Sequence, residues 1–343
     1  MANPICSSTK DTIEARSSRP EVEDKGNGRE VIQNHTMIGE GLPEQIREPV
    51  RAQIDLAMES DELEVLVACL VAVSRRRAPS EGESLKGYIF KRLLSRVLDS
   101  GERRKLWPVT RLSAARPEVE ARQMCSVLLD AYWRDHRKEV ERLTLNLARD
   151  EDREVRQYAA GTMARIIRGG FRSRLRYLQG WSRHPDPSVR RQVLIATVGV
   201  ADPEHPERAK ALLDLLEPHL SDRDPYVRRN LGPFALGQGL LQAYPEATLV
   251  RFQEWLKSED EVVRWNLAMG LAAAVAVSEW KAALEVLRVL AADQRRFVWG
   301  AASAALGNLA NHRSREVGPV LRRWMRDPQL RVAVSSALRG VPR

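Results

Sequence analysis

Six times in its last two hundred residues the chain repeats one short phrase: an Asp, two residues, Val-Arg, then small and apolar residues at helical spacing. The copies begin DREVRQYAAGTMA at Asp152, DPSVRRQVLIATV at Asp186, DPYVRRNLGPFAL at Asp224 and DEVVRWNLAMGLA at Asp260. A worn fifth, RFVWGAASAALG, surrounds Val298, and the sixth is DPQLRVAVSSALRG from Asp327. With Val155, Val189, Val227, Val263, Val298 and Leu330 as the register, the spacings are 34, 38, 36, 35 and 32 residues. A period in that range, with two helices per unit, requires stacked repeats, each burying its face on its neighbours.

Within each unit the second helix is easy to place. The Asp three residues before the register residue is an N-cap for the amides of the first turn. Pro follows directly at Pro187, Pro225 and Pro328, the favoured first helical position. Four and eight residues after the register stand Ala159 and Met163, Val193 and Thr197, Leu231 and Ala235, Leu267 and Leu271, which predicts one buried stripe. The expected fold class is all-α, a right-handed α-solenoid of HEAT-type helix pairs with at least six repeats.

Residues 1–42 are polar and too poor in large apolar side chains to offset the ordering entropy, so they are expected to be a disordered tail. The solenoid is expected over 43–343, with degenerate helical repeats over 43–150 and regular ones over 151–343. RPEVEARQMCSVLLDAYW from Arg116 reads as a degenerate copy.

The net charge of +9 is unevenly placed: residues 1–60 carry 7 Lys/Arg against 11 Asp/Glu, whereas residues 151–200 carry 10 Arg against 4 acids. The local excess of six points to an anionic partner. Three scattered cysteines form neither a disulfide framework nor a zinc spacing, and the six histidines never fall at ligand spacing, so neither metal nor cofactor is expected. No signal-peptide pattern opens the chain and no apolar run is long enough for a membrane span. A cytoplasmic protein is expected.

Two sets of arginines stand out. Arg156, Arg190, Arg228, Arg264 and Arg331 recur beside Asp152, Asp186, Asp224, Asp260 and Asp327, and the worn repeat lacks both partners, as an Asp–Arg ladder between repeats would show. Arg168, Arg172, Arg174, Arg176, Arg191 and Arg229 are extra to that ladder. Together with Arg165 the first four form a run without an intervening acid, a poor structural unit, and Arg suits bidentate phosphate contacts. These six are the candidate phosphate contacts, and Trp265 is a candidate stacking residue.

Residues 150–275 also resemble the HEAT-like DNA-alkylation-repair proteins, among them glycosylases that remove cationic alkylated bases. The likeness rests on Trp181-Ser182 leading into Val189-Arg190-Arg191, on Tyr226-Val227-Arg228-Arg229-Asn230 before Tyr244-Pro245-Glu246, and on Trp255 followed by a new repeat. It implies a concave face that holds duplex DNA by its backbone. It further implies a carboxylate among aromatics that would stabilise charge on the deoxyribose. Arg153-Glu154-Val155-Arg156-Gln157-Tyr158 departs from that pattern: Gln157 stands in the stretch of the acid, no Trp accompanies it, and Glu154 is the only nearby carboxylate. Three readings follow: a nucleic-acid-gripping solenoid, a scaffold for an acidic protein partner, and an active alkylpurine glycosylase.

Overall fold

A computed structural model of the chain describes residues 44–59, 62–75, 82–98, 102–273 and 278–339. The expected disordered tail, 1–42, lies outside the described residues. Among the described residues there is no strand, and the architecture is an α-solenoid of HEAT-type helix pairs. The first helices are α1 (Glu44–Glu59), α2 (Leu63–Ser74), α3 (Gly82–Leu98), α4 (Arg103–Ala114), α5 (Val119–Leu129), α6 (Arg137–Ala148), α7 (Arg153–Arg168), α8 (Phe171–Ser182) and α9 (Pro187–Val200). Then come α10 (Ala209–Leu216), α11 (Pro225–Asn230), α12 (Pro245–Trp255), α13 (Glu261–Ala273), α14 (Trp280–Ala291), α15 (Arg296–His312), α16 (Ser314–Trp324) and α17 (Arg331–Leu338). A π-helical stretch, Leu231–Leu241, continues α11.

From α4 onwards the helices pair as first and second members of a repeat, and the two kinds form separate layers. The second helices, α5, α7, α9, α11 with its π stretch, α13, α15 and α17, pack closely on one another. The first helices touch their counterparts more sparsely. A stack that is tighter on one side curves towards it, so the second helices form the inner wall. Its closeness comes from small side chains: a Cβ on Gly237 would lie 2.6 Å from the Gly270 carbonyl oxygen and 2.9 Å from Ala273 Cβ. Pro233, which has no N–H to donate, lies in the π stretch, where the ladder has already left α-helical register.

The cap aspartates do what the sequence predicts locally. Asp152 accepts from the Val155 amide (3.0 Å), Asp186 from Ser188 (2.8 Å), Asp224 from Tyr226 (2.8 Å), Asp260 from Val262 (2.7 Å) and Asp327 from Gln329 (3.0 Å). The interrepeat ladder exists, but these five aspartates are not the partners of its arginines. The acid rung stands two residues before the cap instead. Arg190 bonds both oxygens of Asp222 (2.6 and 3.2 Å), and Arg264 reaches Asp293 (3.0 Å). Arg122 bonds both oxygens of Asp150 (2.7 and 3.0 Å), which makes α5 a repeat of the same geometry. The carboxylate of a cap is held by the turn it closes, whereas the residue two earlier lies beside the preceding unit's arginine. Of the cap residues, Asp186 also crosses a repeat boundary, receiving Arg149 at 3.2 Å.

Burial raises the Asp222 carboxyl, yet the Arg190 hydrogen bond and the Asp224 amide outweigh it and hold the group below the usual range. Asp293 is held down to about 2 by the Arg295 guanidinium, against burial and with help from Arg264.

Candidate functional site on the inner wall

On an inner helix the register residue faces the core. The residue before it and the residue two after it share one side of the first turn, because one helical turn separates them. At three repeat boundaries these two positions meet. Gln123, two after Ala121 on α5, donates to Glu154, one before Val155 on α7 (2.8 Å). Arg191, two after Val189 on α9, lies over the ring of Tyr226, one before Val227 on α11 (4.8 Å). Trp265, two after Val263 on α13, stacks on Phe297, one before Val298 on α15 (5.0 Å between centroids, 9° between planes). The inner wall is thus a row of cross-repeat pairs that passes from polar, through arginine on tyrosine, to aromatic.

Tyr226 is the meeting point of the basic part. Arg156 from α7 donates its Nε to the Tyr226 hydroxyl (3.1 Å) and lies 5.6 Å from the ring centroid, while Arg191 covers the ring. Arg153 of α7 is close enough to repel Arg191 electrostatically. Arg191 is 5 % exposed, and its Nε and Nη1 have no hydrogen-bond partner; burial lowers its pKa to about 10, Tyr226 opposing and Arg153 and Arg156 adding to the shift. Beside it, Gln192 is fully buried with both amide atoms unpartnered, and Gln157 Nε2 is unpartnered too. Buried donors without acceptors are costly and rare. Arg191, over the Tyr226 ring and without a carboxylate, therefore leaves local positive charge at this point of the wall.

Further along, Arg228 of α11 lies 5.1 Å from the Trp265 ring and 5.5 Å from Phe297. Neither Arg228 nor the exposed Arg229 forms an ion pair among the described residues. Phe297 and Val332, on the inner wall of the last repeats, remain 41 % and 59 % exposed.

The six candidate phosphate contacts do not converge. Arg172 and Arg176 lie on the exposed stripe of α8, a first-layer helix, and face the outer surface. Arg174 turns back, donating to the Ile166 carbonyl (2.9 Å) with its guanidinium over Trp133 (5.7 Å). Arg165 is paired with Asp130 (2.9 Å), and Arg168 ends α7 away from the Tyr226 cluster. The helix reversal at Gly169–Gly170 explains this: neighbours in sequence are sent to opposite layers. Arg191 and Arg229 do reach the inner wall. Trp265 does as well, with Phe297 on one face of its ring. Tyr226 and Phe297 were missed, because their importance follows from which positions of adjacent helices meet.

No family profile matches the chain, and no curated protein matches it in sequence. Three similar solved structures are distant in sequence. AlkD2 from Streptococcus mutans aligns at 18% identity over 61% of this chain and 97% of its own, with a TM-score of 0.48. An engineered protein aligns at 16% identity over 92% of this chain and 86% of its own, TM-score 0.37. Kap121p, solved bound to Nup53p, aligns at 14% identity and TM-score 0.44 over 93% of this chain, which spans 40% of Kap121p.

Glu154, the carboxylate on the wall, receives Gln123 Nε2 at 2.8 Å and lies 3.4 Å from Lys86 Nζ on α3. These contacts tie it to the polar end of the row. No helix among the described residues is long and apolar enough to cross a membrane.

Proposed function

We propose that this chain is a nucleic-acid-binding HEAT-repeat scaffold that grips duplex DNA by its phosphates along the inner wall. The observation that carries the reading is the gathering of Arg156 and Arg191 at Tyr226, with Arg228 and Arg229 next along the wall, while none of the four is neutralised by a carboxylate. Several other arginines, among them Arg122, Arg165, Arg190, Arg251, Arg264 and Arg295, are held by carboxylates. Unneutralised guanidinium groups on one wall attract a polyanion, and Arg prefers phosphate because its planar fork fits two oxygens. The phosphate contacts proposed are therefore Arg156, Arg191, Arg228 and Arg229; Arg168, Arg172, Arg174 and Arg176 leave the set.

The reading assigns binding rather than base removal, since Glu154 is engaged by Gln123 and Lys86, and Asp224, the carboxylate beside Tyr226, caps its own helix. Titration of a fluorescent duplex oligonucleotide at two salt concentrations tests it. Affinity falls steeply with salt if several phosphates are neutralised. Absent or salt-insensitive binding contradicts it. The exposed Phe297 and Val332 favour a second reading, a scaffold for an acidic and partly apolar protein segment. Partners retained after nuclease treatment, with no affinity for duplex, would select that reading instead.

A further inference from the structure

The residue five before the register has two tasks in this solenoid, and some repeats perform only one. In the five repeats with registers Val155 to Val298 its side chain accepts the amide two residues on: Asp150 from Asp152 (2.9 Å), His184 Nδ1 from Asp186 (3.1 Å), Asp222 from Asp224 (3.0 Å), Ser258 Oγ from Asp260 (3.2 Å) and Asp293 from Arg295 (2.9 Å). A carboxylate has further acceptor capacity for the arginine of the preceding repeat, and Asp150, Asp222 and Asp293 use it for Arg122, Arg190 and Arg264. The His184 and Ser258 side chains close the turn but bring no negative charge. The arginines that face them, Arg156 and Arg228, are the two that rest on aromatic rings instead. Filled and vacant rungs therefore alternate along the stack.

From this alternation we infer that Arg156 at Tyr226 and Arg228 at Trp265 and Phe297 are two equivalent phosphate seats, set two repeats apart, created by the missing acids at 184 and 258. The inference rests on the nucleic-acid reading and names its contact points. Each seat keeps a guanidinium face on a ring and leaves its edge for two phosphate oxygens. Arg156 already gives Nη1 to the Asp150 and Glu151 carbonyls (2.6 and 2.8 Å), which fixes the group while Nη2 remains available. In the first seat Arg191, over the same ring, adds positive charge from beneath the surface, its Nε and Nη1 being covered. The rings of the two seats stand on successive inner helices, Tyr226 on α11 and Trp265 on α13, so the seats follow one another along the wall and can meet different phosphates of one duplex.

The test restores the rungs. His184→Asp and Ser258→Asp return a carboxylate to each vacant position, should draw Arg156 and Arg228 into ion pairs, and keep the turn acceptor, so folding is not at risk. His184→Asn and Ser258→Asn keep the turn without the charge. Gln179→Asp adds the same charge on the outer face of α8 as a control for net charge. Binding of a fluorescent duplex of about 20 base pairs, across salt concentrations, is the readout. Each Asp variant is expected to weaken binding about tenfold and to lower the salt slope by about one, and the double variant about a hundredfold, one phosphate contact being lost per seat. The Asn and Gln179→Asp variants should bind like wild type. Asp variants that bind like wild type with unchanged slope, or a Gln179→Asp loss as large as theirs, overturn the seats while leaving nucleic-acid binding in place. A wild type that does not bind duplex overturns both.

Discussion

The inner and outer layers are built from the same repeat yet are held together differently. Outer helices are spaced apart, and their polar faces carry exposed pairs, within one helix as in Arg137–Glu141 (2.9 Å) and between repeats as in Arg111–Glu139 (2.8 Å). Such exposed pairs add little, about 0.3–0.5 kcal/mol each. Inner helices touch closely enough to need glycine, bury polar groups such as Arg191 and Gln192, and are linked at their first turns by the Asp150, Asp222 and Asp293 rungs. The contrast teaches that stability and binding share the inner layer: where a rung is filled the arginine holds two repeats together, and where it is vacant the arginine stays on the wall.

That contrast can be broken in several places. Asp222→Ala strips Arg190 of its partner at a site where both side chains are largely covered (19% and 10% exposed). A loss of about 3–4 kcal/mol is expected in denaturant melts, because a covered charge is left alone. Glu141→Ala, the same kind of deletion in the outer layer, should cost no more than about 0.5 kcal/mol. Equal losses would erase the distinction between layers.

Gly237→Ala is expected to cost about 3 kcal/mol, since the new methyl meets the Gly270 carbonyl, which belongs to a helix backbone and cannot step aside. Calorimetry would check it, and a variant as stable as wild type would show that the inner layer has slack.

His219 sharpens the comparison through pH. It is 1% exposed at the seam between α10 and α11, neither ring nitrogen has a partner, and burial lowers its pKa to about 4. The unfolded chain takes up a proton near pH 6.5 while the folded one does not, so stability is full above that pH and falls as pH drops towards 4. The loss is of order 2–3 kcal/mol across that window. His219→Leu should flatten this part of the pH–stability curve; an unchanged slope would show that His219 does not govern it. One further effect has the opposite sign. Gly180→Ala on outer α8, where an added methyl meets nothing within 4 Å, should stabilise by about 0.5–1 kcal/mol.

Much of the fold was legible in the residues. The period and the buried stripe, repeated six times, and the capping aspartates, present in five of the six repeats, are local features, and each has a direct physical meaning. The ladder was half legible: its arginines were identified, but the capping Asp drew attention from the residue two positions earlier, where Asp150, His184, Asp222, Ser258 and Asp293 stand. A position that alternates between acid and non-acid makes a poor repeat signature, yet it decides where each arginine points. The binding wall was less legible still. Arg165 to Arg176 look like a cluster because they are close in sequence, but the Gly169–Gly170 reversal parts them between layers. Arg156, Arg191 and Tyr226 span seventy residues and meet because repeats stack. Proximity along a solenoid follows the register, not the chain.

The claim that the inner wall, and not the basic outer surface, receives nucleic acid is tested most directly by comparing two charge deletions in one duplex titration. Arg191→Met removes an inner guanidinium, and the Arg172→Ala/Arg176→Ala pair removes two from outer α8. Inner loss should weaken binding at least about tenfold and lower the salt slope by about one, with the outer double variant near wild type. The reverse ranking, or equal small losses that follow only the number of charges removed, would contradict it.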